Sequence, residues 1–240
     1  MLITGASQRI GAAITRSAHE HGYCVIVHFR ASAAAAATLV QSLNNIRSNS
    51  AISLAADFNE LHQCKLLIDS AVAQWGRLDV LVNNASEFFP TPLGSIATAE
   101  LETLFNANVF APLLLSQAAL PELTRQQGAV VNILDIYATL THREHSVYCA
   151  SKAALSMLTR SLAVECAPQV RVNGVAPGAI LWPQGPGAVS DQAKAEMLAK
   201  IPLNKIGRAQ HIAAAVMYLC SDDAQFITGQ TIAIDGGRTL

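Results

Sequence analysis

The chain has 240 residues, of which 51% are hydrophobic and 14% charged, with a formal net charge of −1. That length suits one α/β domain with a full core, and so few charges call for elements covered on more than one side, as in a parallel sheet flanked by helices or a subunit with apolar interfaces. A nearly neutral chain has no field with which to recruit nucleic acid or an anionic membrane.

Met1 to Thr4 reads as a very short first strand; either it is short or the chain starts further upstream. Gly5-Ala-Ser-Gln-Arg-Ile-Gly11 follows, then a helix from Ala12 to His21. A glycine-rich turn between strand and helix lets backbone approach a dinucleotide pyrophosphate, which the free N–H groups and dipole of the helix attract. Gly5, Arg9, Ile10 and Gly11 are therefore candidate cofactor contacts, in the spacing T-G-x-x-x-R-x-G, with Arg9 where a middle glycine is usual. A tight turn carrying a surface arginine is the alternative.

Tyr23 to Phe29 is the second strand and ends at Arg30, with no Asp or Glu nearby. An acidic residue there would hold ribose hydroxyls, whereas an arginine accommodates a 2′-phosphate, so Arg30 argues for NADPH. A solvated arginine at a strand end is the other reading. Ser32 is expected to cap a helix through Ala33–Ala37. The third strand, from Ala51, ends at Asp57-Phe58, where Asp57 either accepts from an adenine amino group or caps the next helix, expected from about Glu60 to Trp75. The fourth strand, from Leu78, ends in Asn83-Asn84-Ala85-Ser86, small and amide residues able to pass beneath a cofactor ring. Phe88-Phe89-Pro90-Thr91-Pro92 makes a stiff aromatic loop beyond it. Asn108, four residues before Pro112, is unfavourable inside a helix unless its amide is partnered.

Gly128 to Leu134 is a buried strand with Asp135 at its exit, and a helix follows from Val147. Tyr148 and Lys152 stand four apart on it, hence on one face, with Asp135 thirteen residues before the tyrosine. A cation near a phenol lowers its pKa and suits it to proton transfer, although a Tyr–Lys pair alone is also a common surface pair. A strand from Gln169 ends in Pro177-Gly178. Residues 179–201 form a Gly/Pro-rich insertion holding an amphipathic helix, read as a substrate lid, with Leu181 and Trp182 as candidate substrate contacts. A helix from Ala209 to Cys220, a strand from Thr231 to Ile234 and Asp235-Gly236-Gly237 close the chain. Strands and helices alternate without linker or repeat, which reads as a single Rossmann-type, doubly wound α/β domain with a seven-stranded parallel sheet over residues 1–240.

Five scattered cysteines without a C-x-x-C spacing are expected as small core residues in a reducing compartment. His19 and His21 are read as solvated helix-end residues, not a metal pair. No apolar run reaches the ~18 residues of a membrane span, and no charged n-region precedes a signal-like h-region. The expectation is a cytoplasmic protein without metal, nucleic-acid or membrane partner.

Together, the glycine-rich turn, Asn83-Asn84-Ala85, Asn108, Tyr148-x-x-x-Lys152, Pro177-Gly178 and Asp235-Gly236-Gly237 resemble the short-chain dehydrogenase/reductases, in order and spacing, from Thr4 to Gly237. Three departures narrow the likeness: Asp135 where that family usually has serine, Arg9 in the turn, and Ser86 after Asn83-Asn84-Ala85. With the Phe88–Pro92 loop, these look like the pteridine reductases. The resemblance implies a homotetramer and NADPH-dependent reduction of a pterin, with Phe88 stacking the pterin against the nicotinamide. It implies that Arg9 and Ser86 touch both cofactor and substrate, that Tyr148 donates a proton relayed by Asp135, and that Lys152 lowers the tyrosine pKa and holds the nicotinamide ribose. Asn108 would order water behind Lys152. Ala31, where a serine can help hold a 2′-phosphate, departs from that pattern. Phe88 and Phe89 as ordinary loop anchors, a dihydromonapterin reductase, a generic carbonyl or 3-oxoacyl reductase, and a non-enzymatic NADPH sensor are the competing readings.

Overall fold

A computed structural model describes residues 1–181 and 190–240. Seven strands form one all-parallel sheet: β1 (Leu2–Ile3), β2 (Val25–Phe29), β3 (Ala51–Ala55), β4 (Val80–Asn83), β5 (Ala129–Ile133), β6 (Arg171–Pro177) and β7 (Thr231–Ile234), in spatial order 3-2-1-4-5-6-7. The chain runs outward from β1 through β2 to β3, then returns to place β4 on the other side of β1. That reversal opens a crevice above the carboxyl ends of β1 and β4, where open α/β sheets bind their ligands. The expected Rossmann-type doubly wound sheet is present.

Side chains alternate between the two faces, as a period of two requires. Ile3, Val80, Val82 and Val131 face α1 (Arg9–Glu20), α2 (Ala33–Ile46) and α8 (Ala209–Cys220), meeting Ile14, Leu39, Leu43, Ile212 and Val216. Leu2, Leu81 and Val130 face the opposite way, against α3 (Gln63–Trp75), α5 (Ala111–Gln126) and α6 (Ser146–Glu165), meeting Leu67, Ile68, Leu115, Leu123 and Ala163. Each such fully buried aliphatic side chain contributes about 1.5–3 kcal/mol. The central strands are therefore buried on both faces, which is what the low charge content called for.

Thr98 to Gln126 is one continuous helical stretch: α4 (Thr98–Phe105), a π turn (Asn106–Phe110) and α5. By length and composition it is apolar enough to cross a membrane, contrary to the sequence expectation. Half of its most apolar part is buried, with Leu104, Leu115, Ala119 and Leu123 fully inside, so it serves here as a core helix. Pro112 has no N–H to give the Asn108 carbonyl in the α register, and the turn just before it is widened to π.

Several expected boundaries move. The first helix begins at Arg9 and α3 begins at Gln63. Ser32 does not cap α2; its hydroxyl meets that of Ser7 at 2.6 Å instead. His19 is not solvated: it is 4% exposed and its Nε2 lies 2.7 Å from the Ser50 hydroxyl, whereas His21 is exposed as expected. A short helix, α7 (Asp191–Leu198), is capped by the Ser190 side chain and carries the far end of the expected lid.

Candidate active site

The crevice is a groove of about 970 Å³ that runs from the glycine-rich turn to the start of α6. Its floor at one end is Gly5 to Gly11. Gly5 takes φ +57°, and a Cβ there would stand 2.9 Å from the Ala85 Cα. A Cβ on Gly11 would stand 2.3 Å from the Gly5 carbonyl oxygen, so both glycines are obligatory for backbone to pass this closely. Thr4 and Asn84 lock the turn onto β4: the Asn84 amide donates to the Thr4 and Gly5 carbonyls at 2.8 and 3.0 Å, and the Thr4 hydroxyl accepts from the Asn84 and Ala85 N–H groups at 2.9 Å. Arg9, exposed at φ 51°, keeps the left-handed conformation that a middle glycine would adopt without strain, at about 1 kcal/mol or more. No side chain caps the N-terminus of α1, which faces the groove with Arg9, Ile10 and Gly11. A glycine cradle with no room for a Cβ, ahead of an uncapped helix start, fits a dinucleotide pyrophosphate.

His28 was missed in the sequence, where it passed as a strand residue. It is 2% exposed, its Nδ1 accepts from the Gly5 N–H at 3.0 Å, and its Nε2–H donates to the Ala56 carbonyl at 3.1 Å. Burial lowers its pKa to about 4, so it stays neutral in the tautomer these bonds require. Phe58 stacks on it at 4.5 Å. The signal available was a lone imidazole near the end of an otherwise apolar strand, one turn from a glycine loop. Asp57 lines the groove but does not cap α3; its Oδ1 accepts from the Asn59 N–H at 3.0 Å in a local turn. Arg30 also lines the groove, yet its guanidinium is already ion-paired to Glu87, a residue the sequence reading passed over.

At the other end, β5 and α6 bring together Asp135, Tyr148 and Lys152. The Tyr148 hydroxyl donates to Asp135 Oδ2 at 2.8 Å, and the Tyr137 N–H donates to Asp135 Oδ1 at 2.9 Å, so Asp135 also caps the short 3-10 turn Ile136–Ala138. Lys152 is 2% exposed, donates to the Ile133 carbonyl at 3.0 Å, and lies 5.8 Å from the centre of the Tyr148 ring. The expectation that Lys152 depresses the tyrosine pKa is not met by these contacts. Burial raises the phenol pKa first and the Asp135 carboxylate raises it further, while the ammonium points at a carbonyl. Burial also raises the Asp135 pKa, against the Tyr137 N–H, the Tyr148 hydroxyl and Lys152. Lys152 itself is lowered to about 8 by burial, with Asp135 opposing. The result is a protonated phenol hydrogen-bonded to a carboxyl that takes up protons more readily than an exposed one.

Phe88 is 54% exposed on the groove wall, with one face stacked on His145 at 4.6 Å and the Tyr148 ring edge-on at 4.7 Å. Phe89 packs into the small cluster of Leu104, Val147 and Tyr148 and acts as the loop anchor. The Thr91 N–H donates to the Glu144 carbonyl at 2.5 Å, which zips the Phe88–Pro92 loop to the segment bearing His142 and His145. Both imidazoles have Nδ1 within 2.9 Å of the Arg143 carbonyl. These histidines were missed because nothing in their spacing foretold a contact with a loop fifty residues earlier. Pro177, Gly178 and Leu181 line the groove beside Met197, Lys200 and Arg238; Trp182 lies outside the described residues.

Asn108 is fully buried behind the groove and does not line it. Its Oδ1 accepts from the Ser86 hydroxyl and the Glu87 N–H, both at 2.9 Å, and its Nδ2 donates to the Glu87 carbonyl and the Ser151 hydroxyl, both at 3.0 Å. The amide thus fixes Ser86 and Glu87, because the π turn aims it at the exit of β4.

The family model described as enoyl-(acyl carrier protein) reductase matches residues 5–239. The chain is 35% identical to pteridine reductase 1 of Leishmania tarentolae, over the whole chain and 96% of that protein. It is likewise 35% identical to the 3-oxoacyl-[acyl-carrier-protein] reductase FabG of Staphylococcus aureus, over the whole chain and 97% of that protein. An uncharacterized oxidoreductase of Methylorubrum extorquens is 34% identical over 98% of the chain and 96% of that protein.

Proposed function

The chain belongs to the short-chain dehydrogenase/reductase family, a family of nicotinamide-dependent oxidoreductases, and from that premise we propose that it is an NADPH-dependent reductase of pterins. Overall identity does not separate a pteridine reductase from an oxoacyl reductase, since both relatives stand at 35%. The observation that carries the reading is the carboxyl of Asp135 hydrogen-bonded to the Tyr148 hydroxyl, at the position where a carbonyl reductase of this family has a serine. A serine hydroxyl polarises a carbonyl oxygen; a carboxyl beside a phenol supplies a proton to a ring nitrogen. The aromatic wall of Phe88 beside Tyr148 suits a flat heterocycle with little apolar volume.

Gly5, Gly11, Arg9 and Ile10 would hold the cofactor phosphates, Asn84, Ala85 and Ser86 the ring system, and Lys152 the nicotinamide ribose. Arg30, with Ser7 and Ser32 on the same rim of the groove, supports a 2′-phosphate and hence NADPH over NADH. When bound, the reduced nicotinamide supplies a hydride to a C=N carbon of the substrate. Tyr148, held protonated by its burial, delivers its proton to the adjoining nitrogen. Asp135 then returns a proton to the phenolate and takes up another from solvent, its burial making it hold a proton more readily than an exposed carboxyl. The buried ammonium of Lys152 stays on the Ile133 carbonyl, apart from the phenol oxygen.

The test is NADPH oxidation with dihydrobiopterin beside an acetoacetyl thioester. Turnover of the pterin alone is expected. Turnover of the thioester alone would make the protein an oxoacyl reductase, and binding of NADPH with no oxidation by any pterin would make it a sensor.

A further inference from the structure

The Arg30–Glu87 pair joins the exit of β2 to the exit of β4 across the adenosine end of the groove. Glu87 is not a loose surface residue. Its N–H and its carbonyl are both bound by the buried amide of Asn108, which is itself anchored to Ser151 on α6. Its backbone therefore cannot withdraw, and its carboxyl is held against the guanidinium, the glutamate a quarter exposed and the arginine half exposed.

We propose that Glu87 is a cofactor-specificity residue that works against a 2′-phosphate. This rests on the assignment of Arg30 to that phosphate. A phosphate set on the Arg30 guanidinium either displaces the Glu87 carboxylate or shares the guanidinium with it, and in both cases two anions meet beside one cation. A ribose 2′-hydroxyl carries no charge and can donate to a carboxylate, so NADH meets no such penalty. Glu87 thus narrows the preference for NADPH that Arg30 creates. It does so from a point 57 residues away in the chain, fixed by Asn108.

Isothermal titration calorimetry with NADPH and with NADH separates the possibilities, using wild type, Glu87→Gln, Arg30→Gln and the double variant. Glutamine keeps the size and hydrogen-bonding reach of the side chain and removes its charge. Glu87→Gln is expected to tighten NADPH about fivefold, the scale of one partly exposed charge pair, and to move NADH by less than about twofold. The gain should shrink in high salt and persist in the Arg30→Gln background, where no cation offsets the repulsion between carboxylate and phosphate. If Arg30→Gln weakens NADPH while Glu87→Gln leaves the NADPH-to-NADH ratio unchanged, or weakens NADPH as well, the role of Glu87 is overturned and the NADPH assignment stands. If Arg30→Gln does not weaken NADPH and wild type binds NADH as tightly, the NADPH assignment fails and the proposal falls with it.

Discussion

The two ends of the groove are built on different principles. At the proton-transfer end, Tyr148 and Lys152 are 4% and 2% exposed, and each is tied by a hydrogen bond of 2.8 to 3.0 Å to the exit of β5. At the adenosine end, the charges that meet a cofactor are a partly exposed ion pair between residues remote in sequence. Low dielectric makes the first end sensitive to single atoms, whereas water screens the second. Chemistry is therefore expected to be brittle, and cofactor choice adjustable.

The sharpest way to break this contrast is Tyr148→Phe, which removes one oxygen. Steady-state turnover should fall by about 10²- to 10⁴-fold, the usual reach of a general acid, while calorimetric NADPH affinity stays within about threefold. Turnover that survives would move the proton donor elsewhere and leave the buried end without its function.

His28, at the adenosine end, is a titratable residue as buried as Tyr148 and Lys152. Its folded pKa, about 4, lies below its ordinary value of 6.5. The stability it contributes is thus present above 6.5 and lost as pH falls through about 4, a change of about 3 kcal/mol. Urea unfolding from pH 7 to 4 should show that loss in wild type. His28→Leu should be less stable at pH 7 by about 1–3 kcal/mol for each of the Gly5 N–H and Ala56 carbonyl left unpaired, and should lose less on acidification. Equal slopes would mean that another group drives the acid transition.

Lys152 sharpens the comparison from the opposite side. Its folded pKa of about 8 lies below the ordinary 10.5, so its contribution is present above 10.5 and is lost as pH falls through about 8. At neutral pH the buried ammonium is a net cost of up to about 3 kcal/mol. Lys152→Met is therefore expected to abolish turnover and yet raise the urea midpoint at pH 7, the gain fading towards pH 10. A lower midpoint at pH 7 would show that the bond to Ile133 outweighs the burial. The smallest effect belongs to the exposed pair: Glu87→Gln should shift the melting temperature by no more than about 2 °C, read by circular dichroism.

What was legible in the sequence follows the same division. The alternation of strands and helices, the glycine turn and the Asp135–Tyr148–Lys152 spacing are local patterns, and each chain segment states them by itself. Arg30 was legible too, but its partner Glu87 was not, because only the β2-β1-β4 order brings those two strand exits across one groove. The same holds for Phe88 and His145, joined by the Thr91–Glu144 zipper. Asn108 was recognised as an amide needing a partner, and its partners became visible only with the π turn that aims it. Pairwise charge effects were misjudged for the same reason: spacing put Lys152 on the face of Tyr148, but burial and Asp135 set the direction of the phenol pKa.

The central claim is that a carboxyl at position 135 makes this site a proton relay for a ring nitrogen, and Asp135→Ser tests it most directly. Dihydrobiopterin turnover with NADPH and turnover of an acetoacetyl thioester should be measured side by side in wild type and variant, over pH 5 to 9. The relay predicts a fall of about 100-fold on the pterin, with thioester turnover unchanged or increased. Pterin turnover that persists with serine at 135 would contradict it.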